Sequence, residues 1–137
     1  MATPKSSVDG ALLNVDLEVR SRTNLGSLIQ ALGDRVVVLH HAKTGSSYLL
    51  SLELADQRPR NADAIIRRLA ALVTDLPPAA AQAWRGSRSR VFDIGIQAGT
   101  KANPHHTALA RATLESVAQL QASIVITTYA PGGTPPD

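Results

Sequence analysis

The feature that most constrains the fold is the interleaving of short strand-like segments with segments of helical periodicity. Residues 15–19 alternate apolar and charged side chains, which is typical of a strand with one face in water. Residues 36–39 form a largely β-branched run, and residues 48–54 alternate again after a turn-like segment at 43–46. We therefore predict that the second and third strands form an antiparallel hairpin.

Segments with a helical stripe of apolar residues separate and follow these strands. Asn24 can cap a short helix that stops at Gly33, because glycine favours a helix end. Asn61 can cap a longer helix that runs to about residue 75 and is stopped by two prolines. The remaining predicted elements are a short helix at 79–84, a strand at 91–97, a helix at 105–121 and a strand at 124–129.

The resulting order is β-α-β-β-α-(α)-β-α-β. A hairpin combined with long helices predicts an α+β fold, with helices packed on one face of a largely antiparallel sheet. The first six elements fit a split βαβ, ferredoxin-like arrangement. We expect a single domain at residues 11–130, with flexible ends at 1–10 and 131–137 that are rich in Pro, Gly, Ser and Thr.

Composition narrows the classes of function. The chain of 137 residues contains no cysteine and only 3% aromatic residues. Disulfides and cysteine-based metal sites are therefore excluded, and a stacking platform for single-stranded nucleic acid is disfavoured. No segment approaches the ~18 apolar residues of a membrane span, and the first ten residues lack the apolar core of a signal peptide. We therefore expect a cytoplasmic protein without a membrane partner.

Histidines and carboxylates show no spacing that is typical of catalysis or metal binding. The histidines form two neighbouring pairs, His40 with His41 and His105 with His106. No third ligand stands at a helical i, i+4 spacing from either pair, so neither a metal nor a cofactor is predicted. We expect the strand carboxylates, Asp16 and Glu18 among them, to be solvated or paired with arginines such as Arg20, Arg22 or Arg90. No catalytic residue is predicted.

The most local chemical signal is a basic segment after the Ala-rich helix. Arg85, Arg88 and Arg90 flank small residues and stand next to Trp84, the single tryptophan. The backbone amides and arginines of such a loop can bind an anion, and the indole can stack on a ring or a guanidinium. These four residues are the predicted anion- or partner-binding site. The structural alternative is a tryptophan at the edge of the core beside solvated arginines.

The layout as a whole has an opening strand at 13–19, a short helix at 25–32, a hairpin strand at 48–54, a helix at 61–75, a strand at 91–96 and a closing helix that leads into a strand ending at 126–129. This layout resembles a bacterial family, the domain of unknown function 4279, over most of residues 12–130. Where that family has a Gly-x-Trp-like stretch, this chain has Gly45-Ser-Ser-Tyr48. The resemblance implies a partner-binding or immunity-type accessory protein and carries no catalytic residue.

We therefore expect a bacterial, non-enzymatic protein-interaction or immunity-like accessory module, whose uncovered sheet face binds a protein partner or a second copy. The polar residues expected on that face are Asp16, Glu18, Arg20, Ser47, Ser51, Glu53, Asp93 and Gln97. One alternative is a binder of anionic ligands or nucleic acid through the arginines at 85–90. The other is a histidine-dependent enzyme, which requires the two histidine pairs to converge beside a cavity.

Overall fold

The computed structural model describes residues 10–101 and 104–131, which form a five-stranded sheet and four α-helices. The strands are β1 (Ala11–Ser21), β2 (Val36–Thr44), β3 (Ser47–Leu54), β4 (Ser89–Gln97) and β5 (Ser123–Tyr129). The helices are α1 (Gly26–Leu32), α2 (Ala62–Thr74), α3 (Pro78–Arg85) and α4 (Arg111–Gln119). The predicted element order and α+β class are confirmed. The ends predicted at 1–10 and 131–137 lie outside the described residues, apart from Gly10 and Pro131.

The sheet has the strand order β2-β3-β1-β4-β5. Its first four strands pair antiparallel with their neighbours and have the split βαβ order of a ferredoxin-like unit. β5 differs because it pairs parallel with β4, after a crossover through α4. As a consequence, β1 lies at the centre of the sheet, and β2 and β5 form its two edges.

Alternation along β1 decides which face of the sheet is buried. Val15, Leu17 and Val19 are at most 1% exposed, and the charged residues between them point to the opposite face. Leu52 on β3 and Phe92 on β4 lie next to Leu17 and belong to the same buried cluster. The helices pack over this face and contribute their own apolar stripes. The outward-pointing residues of the strands therefore form a face that no described helix covers, and we call it the open face.

The last helix begins later than the sequence pattern predicts. The prediction starts this helix at residue 105, whereas α4 starts at Arg111 and residues 104–110 have no regular secondary structure. The carboxylate of Asp63, on α2, accepts hydrogen bonds from the backbone amide of Ala110 (2.8 Å) and the hydroxyl of Thr113 (2.6 Å). A side-chain acceptor stabilises the first turn of a helix. This contact, which we call the long-range cap of α4, holds the N-cap residue and the first turn of the helix against α2.

Candidate functional site on the open face of the sheet

A row of side chains crosses all five strands on the open face. The strand register places Val37 next to Glu53, Asp16 next to Asp93, and Asp93 next to Val125. The β1–β3 register ends at the pair of Leu17 and Leu52, and the next residue on each strand is Asp16 and Glu53, so these two are also neighbours. Because adjacent strands lie ~4.8 Å apart, three carboxylates stand side by side at the centre of the sheet, with a valine at each end of the row.

Glu18 lies two residues further along β1, in the next row of the same face. We call the set Asp16, Glu18, Glu53 and Asp93 the acidic face. The ion pairs between described residues involve none of these four carboxylates. Asp93 accepts one hydrogen bond, from the hydroxyl of Thr127 at 2.9 Å. The expected pairing of Asp16 and Glu18 with arginines is therefore not found in the described part of the chain.

Asp16 is the most perturbed group of the acidic face. Its side chain is half-buried, and its Oδ1 is inaccessible to solvent and has no hydrogen-bond partner among the described residues. Burial, and to a smaller extent the charges of Glu53, Asp93 and Glu18, together raise the pKa of Asp16 from 3.8 to about 6. Like charges directly opposite each other in a sheet are destabilising, so folding alone does not explain this row. Perturbed groups of this kind cluster at functional sites.

Asp16→Asn is expected to stabilise the chain by about 1 kcal/mol near neutral pH, after allowance for solvent screening at this partly exposed face. Native Asp16 binds its proton more tightly than the unfolded chain does, because its pKa is raised to about 6. The tighter proton binding therefore adds to the stability of the wild-type fold below about pH 4, and this contribution is lost as pH rises through about 6. Urea unfolding at both ends of this range checks the sign: the gain from Asp16→Asn must shrink in acid. A loss of stability at neutral pH would contradict the expectation.

Two members of the predicted arginine site serve the fold. Trp84 is only 4% exposed and donates its indole N–H to the carbonyl of Leu120 at 3.2 Å. Arg90 donates to the carbonyls of Trp84 (2.9 Å) and Gln121 (3.1 Å), and its guanidinium lies 5.9 Å from the centre of the indole ring. These contacts fasten the end of α3 to the turn between α4 and β5. Trp84 therefore lies at the core, as the structural alternative expects, whereas Arg90 is bonded to the protein and not simply solvated.

A cleft of about 380 Å³ lies beside these contacts. Residues at the C-terminal ends of three helices line it, namely Thr74 of α2, Arg85 of α3 and Gln119 of α4. The C-terminal end of a helix carries partial negative charge, which disfavours an anion and favours a cation. Arg90, which donates to the carbonyls of Trp84 and Gln121, thus neutralises the ends of α3 and α4 in this cleft.

The remaining two arginines of the predicted site differ in their surroundings. Arg88 donates to the hydroxyl of Ser47 at 3.0 Å, so Ser47 is buried (8% exposed) instead of lying open on the sheet face. Arg85 is exposed and has no hydrogen-bond partner in the described part of the chain. Anion binding by these arginines stays a prediction, and Arg85 is the member whose guanidinium has no internal role.

The two histidine pairs lie far apart. The pair at 40–41 lies midway along β2, at the level of Val19 on β1. His105 lies close to Gly10, just before β1 begins. The eight residue steps from Ala11 to Val19 span ~26 Å of strand, so the pairs do not converge beside one cavity. Among the described residues, no group of three or more His, Asp or Glu side chains is placed to hold a metal ion.

No helix in the described ranges is long and apolar enough to cross a membrane. Comparisons with protein-family models, with curated proteins and with solved structures found no match. The fold and the site define an α+β domain of split βαβ topology, in which the open sheet face carries carboxylates that have no ion-pair partner among the described residues.

Proposed function

We propose that this chain is a non-enzymatic, cytoplasmic protein-interaction module whose acidic face binds a basic segment of a partner protein. The observation that carries the proposal is the row of three carboxylates without ion-pair partners among the described residues, at the centre of a sheet face that no described helix covers. The resemblance to the domain of unknown function 4279 supports the same class, because it implies a partner-binding or immunity-type accessory protein.

Charge complementarity favours a cationic partner. The acidic face holds four of the 11 acidic residues, although the formal net charge of the chain is +3. Opposite charges across an interface steer the encounter and set its register. A lysine or arginine that reaches Asp16 supplies the partner that its Oδ1 lacks and lowers its pKa toward the ordinary value. A nucleic-acid phosphate would be repelled by the same carboxylates.

The apolar ends of the row favour a protein segment over a small cation. Val37 and Val125 are 45% and 43% exposed, one on each edge strand. Burial of these apolar side chains by a partner removes their surface from water and contributes favourably to the free energy of binding. An extended segment with basic residues at its centre and apolar residues on either side matches this row.

A fluorescently labelled lysine-rich peptide is the direct probe, with an acidic peptide of equal length for comparison. At low ionic strength, where surface charges are least screened, the chain is expected to bind the first peptide and not the second. The triple variant Glu18→Gln, Glu53→Gln, Asp93→Asn is expected to weaken binding about tenfold, because each partly exposed charge pair contributes roughly 0.2–1 kcal/mol. Fluorescence anisotropy measures the change.

A matched control separates the acidic face from net charge. The variant Asp34→Asn, Asp75→Asn, Glu115→Gln removes the same charge from exposed positions outside the open face. It is expected to bind the lysine-rich peptide within about twofold of wild type, since these carboxylates do not face the peptide. If both triple variants weaken binding equally, the attraction belongs to the whole chain and the proposal is wrong.

A further inference from the structure

β5 is an edge strand that lacks the features which protect an edge. It pairs with β4 on one side, and no described strand pairs with its other side. Ser123–Tyr129 contains no charged residue, proline or glycine. A bare edge readily pairs with another chain, so natural edges usually carry charges, prolines or bulges.

The opposite edge shows such protection. β2 carries Lys43 and the histidine pair at 40–41, and its register with β3 is broken at Leu39. A charge and a bulge both oppose pairing with a further strand. The two edges of this sheet therefore differ, and β5 is the one suited to strand addition.

Apolar side chains surround the bare edge. Ile126, the central residue of β5, is 59% exposed and points to the face that the helices cover. Val125 is 43% exposed on the open face, and Leu114 of the neighbouring α4 is 47% exposed. Strand pairing at β5 would remove apolar surface from water on both faces of the sheet.

The charge pattern identifies the occupant. No charged residue stands between Glu115 and Asp137. A neutral strand offers nothing to a charged partner, whereas it is complementary to itself, because antiparallel self-pairing brings no like charges together. In the full register of seven residues, Ile126 lies opposite its own copy on a twofold axis, which is the closed arrangement of most dimers.

We propose that β5 pairs antiparallel with β5 of a second copy and joins the two five-stranded sheets into one. The twofold axis of such a pair is perpendicular to the joined sheet, so the open faces of the two copies point in the same direction. The dimer would thus present both acidic faces in one direction and offer a partner two adjacent sites, which raises avidity. Dimer formation itself does not depend on what the acidic face binds.

Molar mass in solution over a range of concentrations tests the pairing. Wild type is expected to be a dimer, and Ile126→Lys a monomer, because the substitution places two ammonium groups together at the axis. Val38→Lys is the control, since Val38 is also an exposed apolar edge residue (38%) but lies on β2. It is expected to remain dimeric. Circular dichroism confirms that both variants fold, as expected for exposed positions.

A cysteine placed on the axis gives a second measurement. The chain has no cysteine, so Ile126→Cys creates a single thiol. Residues directly opposite in an antiparallel pair have Cβ atoms ~4.5–5.5 Å apart, close to disulfide geometry. Mild oxidation is expected to crosslink Ile126→Cys into a covalent dimer and to leave Val38→Cys uncrosslinked. A wild type that is monomeric at every concentration overturns the proposal. Dissociation by both lysine variants also overturns it, because it would indicate open-ended pairing of β5 with β2.

Discussion

Arg90→Ala is expected to lower the free energy of unfolding by about 3 kcal/mol, the largest effect of any arginine substitution in this chain. Besides the carbonyls of Trp84 and Gln121, the guanidinium donates to the carbonyl and the hydroxyl of Ser87 at 3.1 Å and 2.9 Å. Charge-assisted hydrogen bonds are stronger than neutral ones, and their loss leaves the carbonyl of Ser87 without a hydrogen-bond donor among the described residues. Urea unfolding at neutral pH measures the loss.

Two further variants distinguish this structural role from a general effect of charge. Arg85→Ala removes the same charge from an exposed side chain and is expected to change stability by less than about 0.5 kcal/mol. Arg90→Lys is expected to recover little, because an ammonium group cannot reach two separate carbonyls with the geometry of a guanidinium. Equal losses in Arg85→Ala and Arg90→Ala would show that Arg90 does not fasten α3 to the α4–β5 turn.

Asp63→Ala is expected to cost about 2 kcal/mol, because it removes the long-range cap of α4. Thr113 is fully buried, so its hydroxyl would lose its partner without gaining water. Asp63 also forms an ion pair with Arg67 at 3.3 Å within α2. Asp34→Ala, an exposed carboxylate with no such contact in the described residues, is the control and is expected to be nearly neutral.

The same contact predicts a pH dependence. The hydrogen bonds from Thr113 and Ala110 lower the pKa of Asp63 below its ordinary value of 3.8. A carboxyl with a lowered pKa stabilises the fold above that ordinary value, and the stabilisation is lost as pH falls through the folded-state pKa. Amide hydrogen exchange is therefore expected to show α4 opening in strong acid, and Asp63→Ala should show the same opening at neutral pH. Equal protection of the α4 amides in wild type and Asp63→Ala at neutral pH would contradict this expectation.

Much of the fold follows from local patterns in the sequence. The alternation at residues 15–19 predicts a half-buried strand, and β1 has that burial. Asn61 predicts the start of α2, and its side chain accepts the amide of Ala64 at 2.8 Å. The long-range cap of α4 is different, because it depends on Asp63, which lies 47 residues before Ala110 in the sequence. No local pattern reveals such a partner.

The acidic face is likewise visible only in part from the sequence. Alternation predicts that Asp16, Glu53 and Asp93 point outward, each on its own strand. Their convergence depends on the strand order, which places β1 between β3 and β4. The arginine segment shows the opposite case: its sequence suggests a binding loop, but Arg90 points back toward helix ends that the sequence does not place in space.

Binding of the lysine-rich peptide can be located on the chain by backbone amide chemical shifts. We predict that titration shifts the signals of Asp16, Glu18, Glu53 and Asp93 most and leaves those of α3 nearly unchanged. The triple variant Glu18→Gln, Glu53→Gln, Asp93→Asn should show small shifts across the same strands. Shifts confined to the helices, or equal shifts in the variant, would show that the acidic face is not the binding surface.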